Sequence, residues 1–321
     1  MPDGLTALQE IGIHLDPRYA IPFEGIRFLG DGREVGARFG SGSGFGIRRT
    51  TLHQRLLEQA AHEGVSMRWG VSVDHITPQT AQIGTQEVRY RWLACADGQN
   101  SRLRKQAGLD SVRTLGRRYG FRRHYQIAPW SNSVEVHWGD CGQLYITPTA
   151  SNEICVAFIT AVPNLRLHQG LRDFPEVERR LRGCVPKTRE QGAITSTMKV
   201  RAVHNGRIAL LGEASGSVDA VTGEGLSTAF RQAKAFVNGV KYGDLNRYEA
   251  DHRRIMRRPR AMARLLLMMD RNPAIRRRVL RALSSDPGLF ARLLDIHTGM
   301  LSPAEFGLHG ALSLGWGLVT A

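Results

Sequence analysis

Apolar positions along this chain change period, and the changes mark its elements. Arg207-Ile208-Ala209-Leu210-Leu211 is a short continuous apolar run, the pattern of a buried strand. Leu226, Ala229, Phe230, Ala233, Phe236 and Val237 then recur at helical spacing. Upstream, periodicity predicts a short helix over 5–11, a hairpin over 25–39 turning at Gly30-Asp31-Gly32, a helix over 50–63 ended by Gly64, and strands over 65–73 and 88–96. From about 113 to 200 the period falls to two. Strands are predicted over 120–127, 134–138, 143–147, 154–160 and 194–200, with a short helix over 174–181. Beyond Phe236 the pattern is helical to about His297. Pro273 and Pro287 break it, and Asn272 and Asp286 stand where helix N-caps belong. The last residues, 306–321, are glycine-rich and apolar and fit no element. An alternating middle between mixed flanks reads as an antiparallel sheet inserted into an α/β framework.

Composition narrows the class. The chain has 321 residues, 42% of them hydrophobic, which suits a folded protein with a sizeable core and excludes a disordered one. Cys95, Cys141, Cys155 and Cys184 show no C-x-x-C or zinc spacing and read as reduced thiols, and the histidines show no metal spacing. No basic, apolar leader opens the sequence and no apolar run reaches transmembrane length, so a cytoplasmic protein is expected. The net charge of +15 gathers toward the C-terminus, in 252–260 and again at Arg276-Arg277-Arg278, around the apolar stretch 261–269. Arginines flanking an apolar helical stripe have two readings. One is a helix packed on the domain with a solvated arginine face; the other is peripheral contact with a membrane interface. Nucleic acid is not expected, because no reading motif accompanies the charge.

The candidate chemistry sits where strands meet turns. Gly212 and Glu213 follow the strand at 207–211, and Gly223-Glu224-Gly225 opens the helix after it. A bare helix N-terminus lined by glycine presents unpaired N–H groups and a positive dipole end, which suits phosphate or another electron-rich group. An acid at a strand end can accept hydrogen bonds from sugar or ribityl hydroxyls. Glycines there also serve plain turn chemistry, so the order of strand, Gly-acid, Gly-Glu-Gly and helix carries more weight than either glycine pair alone. No Ser/His/Asp or Cys/His arrangement is legible. His124, Tyr125, His137, Trp138 and Tyr145 are the candidate substrate-facing groups, and alternation puts His124 and Tyr125 on opposite faces of their strand.

The segment 207–236 resembles the second flavin-binding motif of the FAD-dependent monooxygenases of the para-hydroxybenzoate hydroxylase type, a superfamily that also holds geranylgeranyl reductases and flavin halogenases. Two further motifs agree in order. Asp97-Gly98-Gln99-Asn100-Ser101-Arg102-Leu103-Arg104 is similar to the family's D-G-x-x-S-x-x-R, and Arg49-Thr50-Thr51-Leu52 to its R-x-x-L helix. The resemblance spans about residues 1 to 240. It implies FAD as cofactor and NAD(P)H as reductant, acting with oxygen on a small organic substrate, a lipophilic one included.

By the same resemblance, Arg49 contacts the pyrophosphate region, with its neighbour Arg48 able to do the same. Asp97 and Gly98 lie by the cofactor's central part or the nicotinamide-donor groove. Arg104 pairs with Asp97 or orders the following loop. Gly212 and Glu213 face the ribityl and pyrophosphate groups, and Gly223, Glu224 and Gly225 lie against the flavin ring. Glu213 stands where the family has Asp. The family's opening strand and G-x-G-x-x-G have no counterpart. The run Gly40 to Gly46 reads as a flexible loop, and residues 1–8 resemble a segment the family places after its first βαβ unit. A chain shortened by roughly 30–50 residues, the size of one such unit, is the expectation. The expected fold is therefore α/β (α+β): a Rossmann-like FAD-binding domain over 1–112 and 201–240, truncated at its N-terminus, an inserted antiparallel substrate-binding sheet over 113–200, and a helical region over 241–321. Beside the monooxygenase stand two other readings, a prenyl-chain reductase and a truncated remnant without tight FAD binding.

Overall fold

The computed structural model describes residues 1–301. The tail at 306–321 lies outside the described residues. Among these residues the helices are α1 (Pro2–Gln9), α2 (Arg49–His62), α3 (Arg102–Gln106), α4 (Leu167–Gly170), α5 (Pro175–Leu181), α6 (Gly225–Lys241), α7 (Leu245–Arg271), α8 (Pro273–Ser285) and α9 (Pro287–Thr298).

The dominant element is a nine-stranded sheet. Its centre is Val112–Gln126, one strand of 15 residues where periodicity indicated only the second half. Glu153–Thr160, Gln143–Ala150 and Val134–Trp138 follow it in antiparallel order. Gln191–Val200 pairs with its other edge, also antiparallel. The predicted hairpin, Gly25–Gly30 with Arg33–Arg38, forms as expected. It extends this sheet through a parallel pairing of Gly25–Gly30 with Val134–Trp138, in which Phe28 lies beside Val136. Residues from the first hundred thus build part of the sheet on which the predicted insertion is based.

Period-two alternation gives the sheet two apolar faces. Leu144, Ile146, Ile154, Val156 and Phe158 turn toward α4 and α5, meeting Leu167, Phe174 and Val177. Val136 and Trp138 turn the other way, toward Ala263, Leu266 and Met269 of α7 and Val279 and Leu283 of α8. Ala263, Leu266 and Met269, on the apolar stripe of α7, are therefore part of the core. Its arginines at 253, 254, 257 and 264 face outward. No helix of the described residues is long and apolar enough to cross a membrane. The helix breaks fall where proline and cap chemistry set them. Asn272 Oδ1 accepts from the amides of Ala274 and Ile275, and Asp286 Oδ1 from that of Leu289.

A smaller unit joins the strands that lead into two of the cofactor-type motifs. Leu93–Cys95 and Ile208–Leu210 run parallel, with Leu210 beside Cys95, which is fully buried. The single strand expected over 88–96 is divided. Gln86–Arg89 joins a separate antiparallel sheet with Thr80–Ile83 and His75–Ile76. The strand expected over 65–73 does not form. Its alternating apolar residues find no pairing partner among the described residues, and Val65, Trp69 and Val71 stay exposed.

Two buried histidines tie α7 and α9 to the turns between strand and α6. His252 of α7 is 3% exposed and lies 2.9 Å from Ser215 Oγ through Nε2. Burial pushes both His252 and His297 of α9 down to about 4. A group depressed on folding stabilises fully above its unfolded value, near 6.5, and loses that contribution as pH falls through the folded value. The melting temperature is accordingly expected to fall between pH 6.5 and 4, with each histidine contributing on the order of 3 kcal/mol. In His252→Gln that acid limb should shrink; an unchanged pH profile in this variant would show that His252 is not the group titrating.

Candidate cofactor and substrate site

Parallel pairing brings two sequence-distant motifs to one edge. Leu211 N donates to Cys95 O at 2.9 Å, so Asp97-Gly98 and Gly212-Glu213 leave neighbouring strands on the same side. Such carboxyl ends are where α/β sheets hold ligands. Gly98 (φ 83°) and Gly212 (φ 57°) are left-handed, which a side chain would strain, although a Cβ at either would meet no atom within 4 Å. The turn at Gly212 is fixed from α6: Gln232, 1% exposed, accepts from Gly212 N at 2.8 Å. Glu213 itself is exposed.

Asp97 has its own local work. Its Oδ1 accepts from Ser101 Oγ at 2.5 Å and its Oδ2 from Leu103 N at 3.1 Å, so the carboxylate caps α3. Arg104 does not pair with it. The guanidinium, buried at 5% exposure, reaches Asp110 Oδ1 at 3.1 Å, Gln99 O at 3.3 Å and Ala214 O at 3.1 Å. Of the two expected roles, ordering the loop is the one realised, and the bond to Ala214 couples the Asp97-Gly98 loop to the turn after Gly212.

The second group of site residues gathers at a cavity of 390 Å³ between the large sheet and α7–α9. Gly223 (φ 64°) lines it beside Leu226 and Ser227 of α6, and Arg49, first residue of α2, lines the same space. Glu224 is the N-cap of α6, but its side chain makes no capping bond. The first amides of the helix therefore have no partner within it, the condition for binding an electron-rich group. A Cβ at Gly225 would meet nothing within 4 Å. Among the described residues Arg49 has no ion pair or hydrogen bond. Arg48 has one, to the buried carboxylate of Glu153, at 2.8 Å from Nε to Oε1. Of the two arginines only Arg49 is left for a ligand.

The chamber is apolar at depth, walled by Phe28, Val136, Trp138, Leu266, Met269 and Phe290, and more polar toward Arg49, Arg122, His124 and Thr147. Alternation resolves the substrate-facing candidates. His124, Trp138 and Tyr145 line the cavity. Tyr125 packs into the opposite core and His137 turns to Glu135, with 3.0 Å between Nε2 and Oε2. Tyr145 donates to Val221 O at 3.0 Å and so fixes the turn before Gly223. The run Gly40–Gly46 is not wholly a loop. Gly44–Ile47 is a strand paired with Ala20–Phe23 and walls the cavity, because Gly46 passes so close to Pro148 that a Cβ would sit 1.6 Å from its carbonyl oxygen.

Sequence reasoning missed a buried charge network behind this turn. Arg118, 4% exposed, meets Asp219 at 3.3 Å, Asp270 at 3.1 Å and Gln143 Oε1 at 3.3 Å. Its members are scattered over more than a hundred residues, and nothing local in the sequence pairs them. The walls supplied by α7–α9 had a signal, the i, i+4, i+7 spacing of Met262, Leu266 and Met269, but no sequence pattern states what such a stripe packs against.

No family model and no curated protein matches the sequence. Solved structures do match the fold. The flavin-dependent brominase Bmp2 aligns with a TM-score of 0.71 at 14% identity, over 98% of this chain and 86% of that one. A variant of halogenase PltM in complex with FAD aligns at 0.71 and 15% identity, over 98% and 77%. The tetrameric form of 2-methyl-3-hydroxypyridine-5-carboxylic acid oxygenase aligns at 0.64 and 16% identity, over 99% and 85%. With these alignments over nearly its whole length, the chain has the mixed α/β fold of the FAD-dependent monooxygenase-type flavoproteins.

Proposed function

We propose that the protein is an FAD-dependent oxidoreductase, most simply a monooxygenase that uses NAD(P)H and oxygen on an apolar organic substrate. The observation that carries this reading is the cavity: one apolar chamber opens directly onto Gly223, the start of α6 and Arg49. The residues fit the cofactor. Gly212, Gly223 and Gly225 have open space where a side chain would stand, and Arg49 offers an unpaired cation. When bound, FAD supplies the redox chemistry, and the protein supplies orientation and electrostatics. Gly212 and Glu213 would hold the chain-like middle of the cofactor. Arg49 would offset its phosphate charge, and the N-terminus of α6 would favour electron density at the ring. Phe28, Trp138 and Phe290 would exclude water from an apolar substrate. The arginine faces of α7 and α8 would carry any contact with an anionic membrane surface.

The test is an absorbance titration of the purified chain with FAD through the visible flavin bands, followed by NAD(P)H oxidation. Stoichiometric binding is expected. Arg49→Ala should weaken it by roughly tenfold to a hundredfold, the range for loss of a charge-assisted contact to phosphate. Wild-type affinity in that variant would remove Arg49 from the site.

A further inference from the structure

Glu224 and His297 meet where α9 touches the turn before α6. Glu224, in the Gly-Glu-Gly turn, is 2% exposed, and its side chain points inward instead of capping the helix. His297, in the last turn of α9, is 5% exposed and lines the cavity. Glu224 Oε2 lies 3.5 Å from His297 Nδ1, and neither atom has a hydrogen-bond partner among the described residues. The backbone of Thr222, which also lines the cavity, lies close to the ring as well.

Four protonation arrangements are open to such a pair, and one of them, a carboxylate accepting from Nδ1–H of a neutral imidazole, would leave a carboxylate charge buried. A carboxylate facing a neutral Nδ1 lone pair would repel it. A carboxylate with an imidazolium would need two ions in a site with almost no water, and the Arg258 guanidinium close by opposes the imidazolium. A neutral carboxylic acid donating to a neutral imidazole satisfies both orphan atoms without burying charge. Burial drives the two groups that way, Glu224 up to about 8, against the pull of Arg258, and His297 down to about 4. Burial thus favours a neutral pair over a salt bridge.

We propose that Glu224 and His297 hold one proton in the cavity wall and deliver it to the occupant of the cavity. The Glu224 proton passes to Nδ1 of His297. The proton on Nε2 passes to an acceptor that gains negative charge during turnover, in the cavity that His297 lines. One N–H bond forms as one breaks, the imidazole ends neutral as the other tautomer, and Glu224 is left as a carboxylate near Arg258. Behind it, Asp3 Oδ2 accepts from Arg258 Nη2 at 3.2 Å and from Arg231 Nη1 at 3.3 Å. Of the charged groups facing Glu224, Arg258, Arg231 and the Met1 amino group favour the carboxylate once the proton has left, and Asp3 opposes it. The identity of the acceptor rests on the flavoprotein reading above; the pair itself does not.

The first readout needs no cofactor. Infrared spectra of the full chain at pH 6.5 should show a buried protonated carboxyl band that is absent in Glu224→Gln and shifted in His297→Phe. Nitrogen-15 NMR of the unaltered chain should show His297 neutral with its proton on Nε2, a measurement that holds even if a variant misfolds. An ionised Glu224, a band indifferent to His297→Phe, or a protonated His297 at that pH would overturn the proposal. With FAD and NADPH, turnover in Glu224→Gln should drop roughly a hundredfold and lose its alkaline limb, the scale of general acid catalysis; an unchanged rate and profile would also overturn it. Failure of the wild-type chain to bind FAD would sink the cofactor reading and leave the spectroscopic result standing.

Discussion

Gly225→Trp abolishes FAD binding and leaves the fold intact: this is the largest functional effect the site predicts. Gly225 opens α6 and is exposed, and a Cβ there meets no atom within 4 Å. Its φ is not in the left-handed region, so a side chain brings no backbone strain. An indole at this position would stand over the first amides of α6, where the proposed function puts the cofactor's ring, and would block it sterically while the core stays untouched. The expected loss is a hundredfold or more in Kd, about 2.7 kcal/mol or greater. The checks are the visible flavin bands after titration and the melting temperature of the variant. Normal flavin content with a normal melting temperature would move the cofactor away from this turn; a collapsed melting temperature would show that Gly225 is needed for folding.

Arg118→Met carries the largest expected cost in stability. The guanidinium is 4% exposed and meets two carboxylates, Asp219 at 3.3 Å and Asp270 at 3.1 Å, as well as Gln143 Oε1 and Ile159 O. Gln143, fully buried, donates to Asp270 Oδ1 at 2.7 Å, and burial already pushes Asp270 upward against the pull of Arg118. Methionine fills much of the volume and supplies no donor, so two buried acids lose their cation. Breaking a buried pair in this way costs roughly 3–5 kcal/mol. Arg118 lies on the central strand of the sheet, Asp219 in the turn before Gly223, and Asp270 on α7. The same variant should therefore loosen the cofactor turn and weaken FAD binding. Urea unfolding with and without FAD measures both effects. A midpoint within experimental error of the wild type would mean the network is not the joint between sheet, turn and helix.

Much of the fold was legible because its signals are local. The hairpin turning at Gly30-Asp31-Gly32, the strands of the large sheet and the helix breaks at Pro273 and Pro287 all rest on residues within a few positions of one another, where periodicity and cap chemistry act. The places where reading failed are those where pairing decides. The alternation over 65–73 is as regular as in the strands that form, yet a strand exists only with a neighbour to bond, and this segment has none among the described residues. The segment 88–96 looks like one strand and serves two sheets. Gly44–Ile47 looks like loop and becomes a cavity wall because Ala20–Phe23 pairs with it.

The candidate site divides along the same line. Residue types and spacing alone determined the glycine turns, the acids beside them and the bare start of α6, since these depend on backbone chemistry within one motif. Tertiary structure alone decided which side chains are free to act. It committed Asp97 to α3, Arg48 to Glu153 and Arg104 to the loop, and it left Arg49 open to the cavity. It also placed His297 against Glu224 from 73 residues away. Burial and charge pairing are properties of neighbours in space, so a sequence that specifies every side chain still states nothing of which ones will meet until the chain has folded.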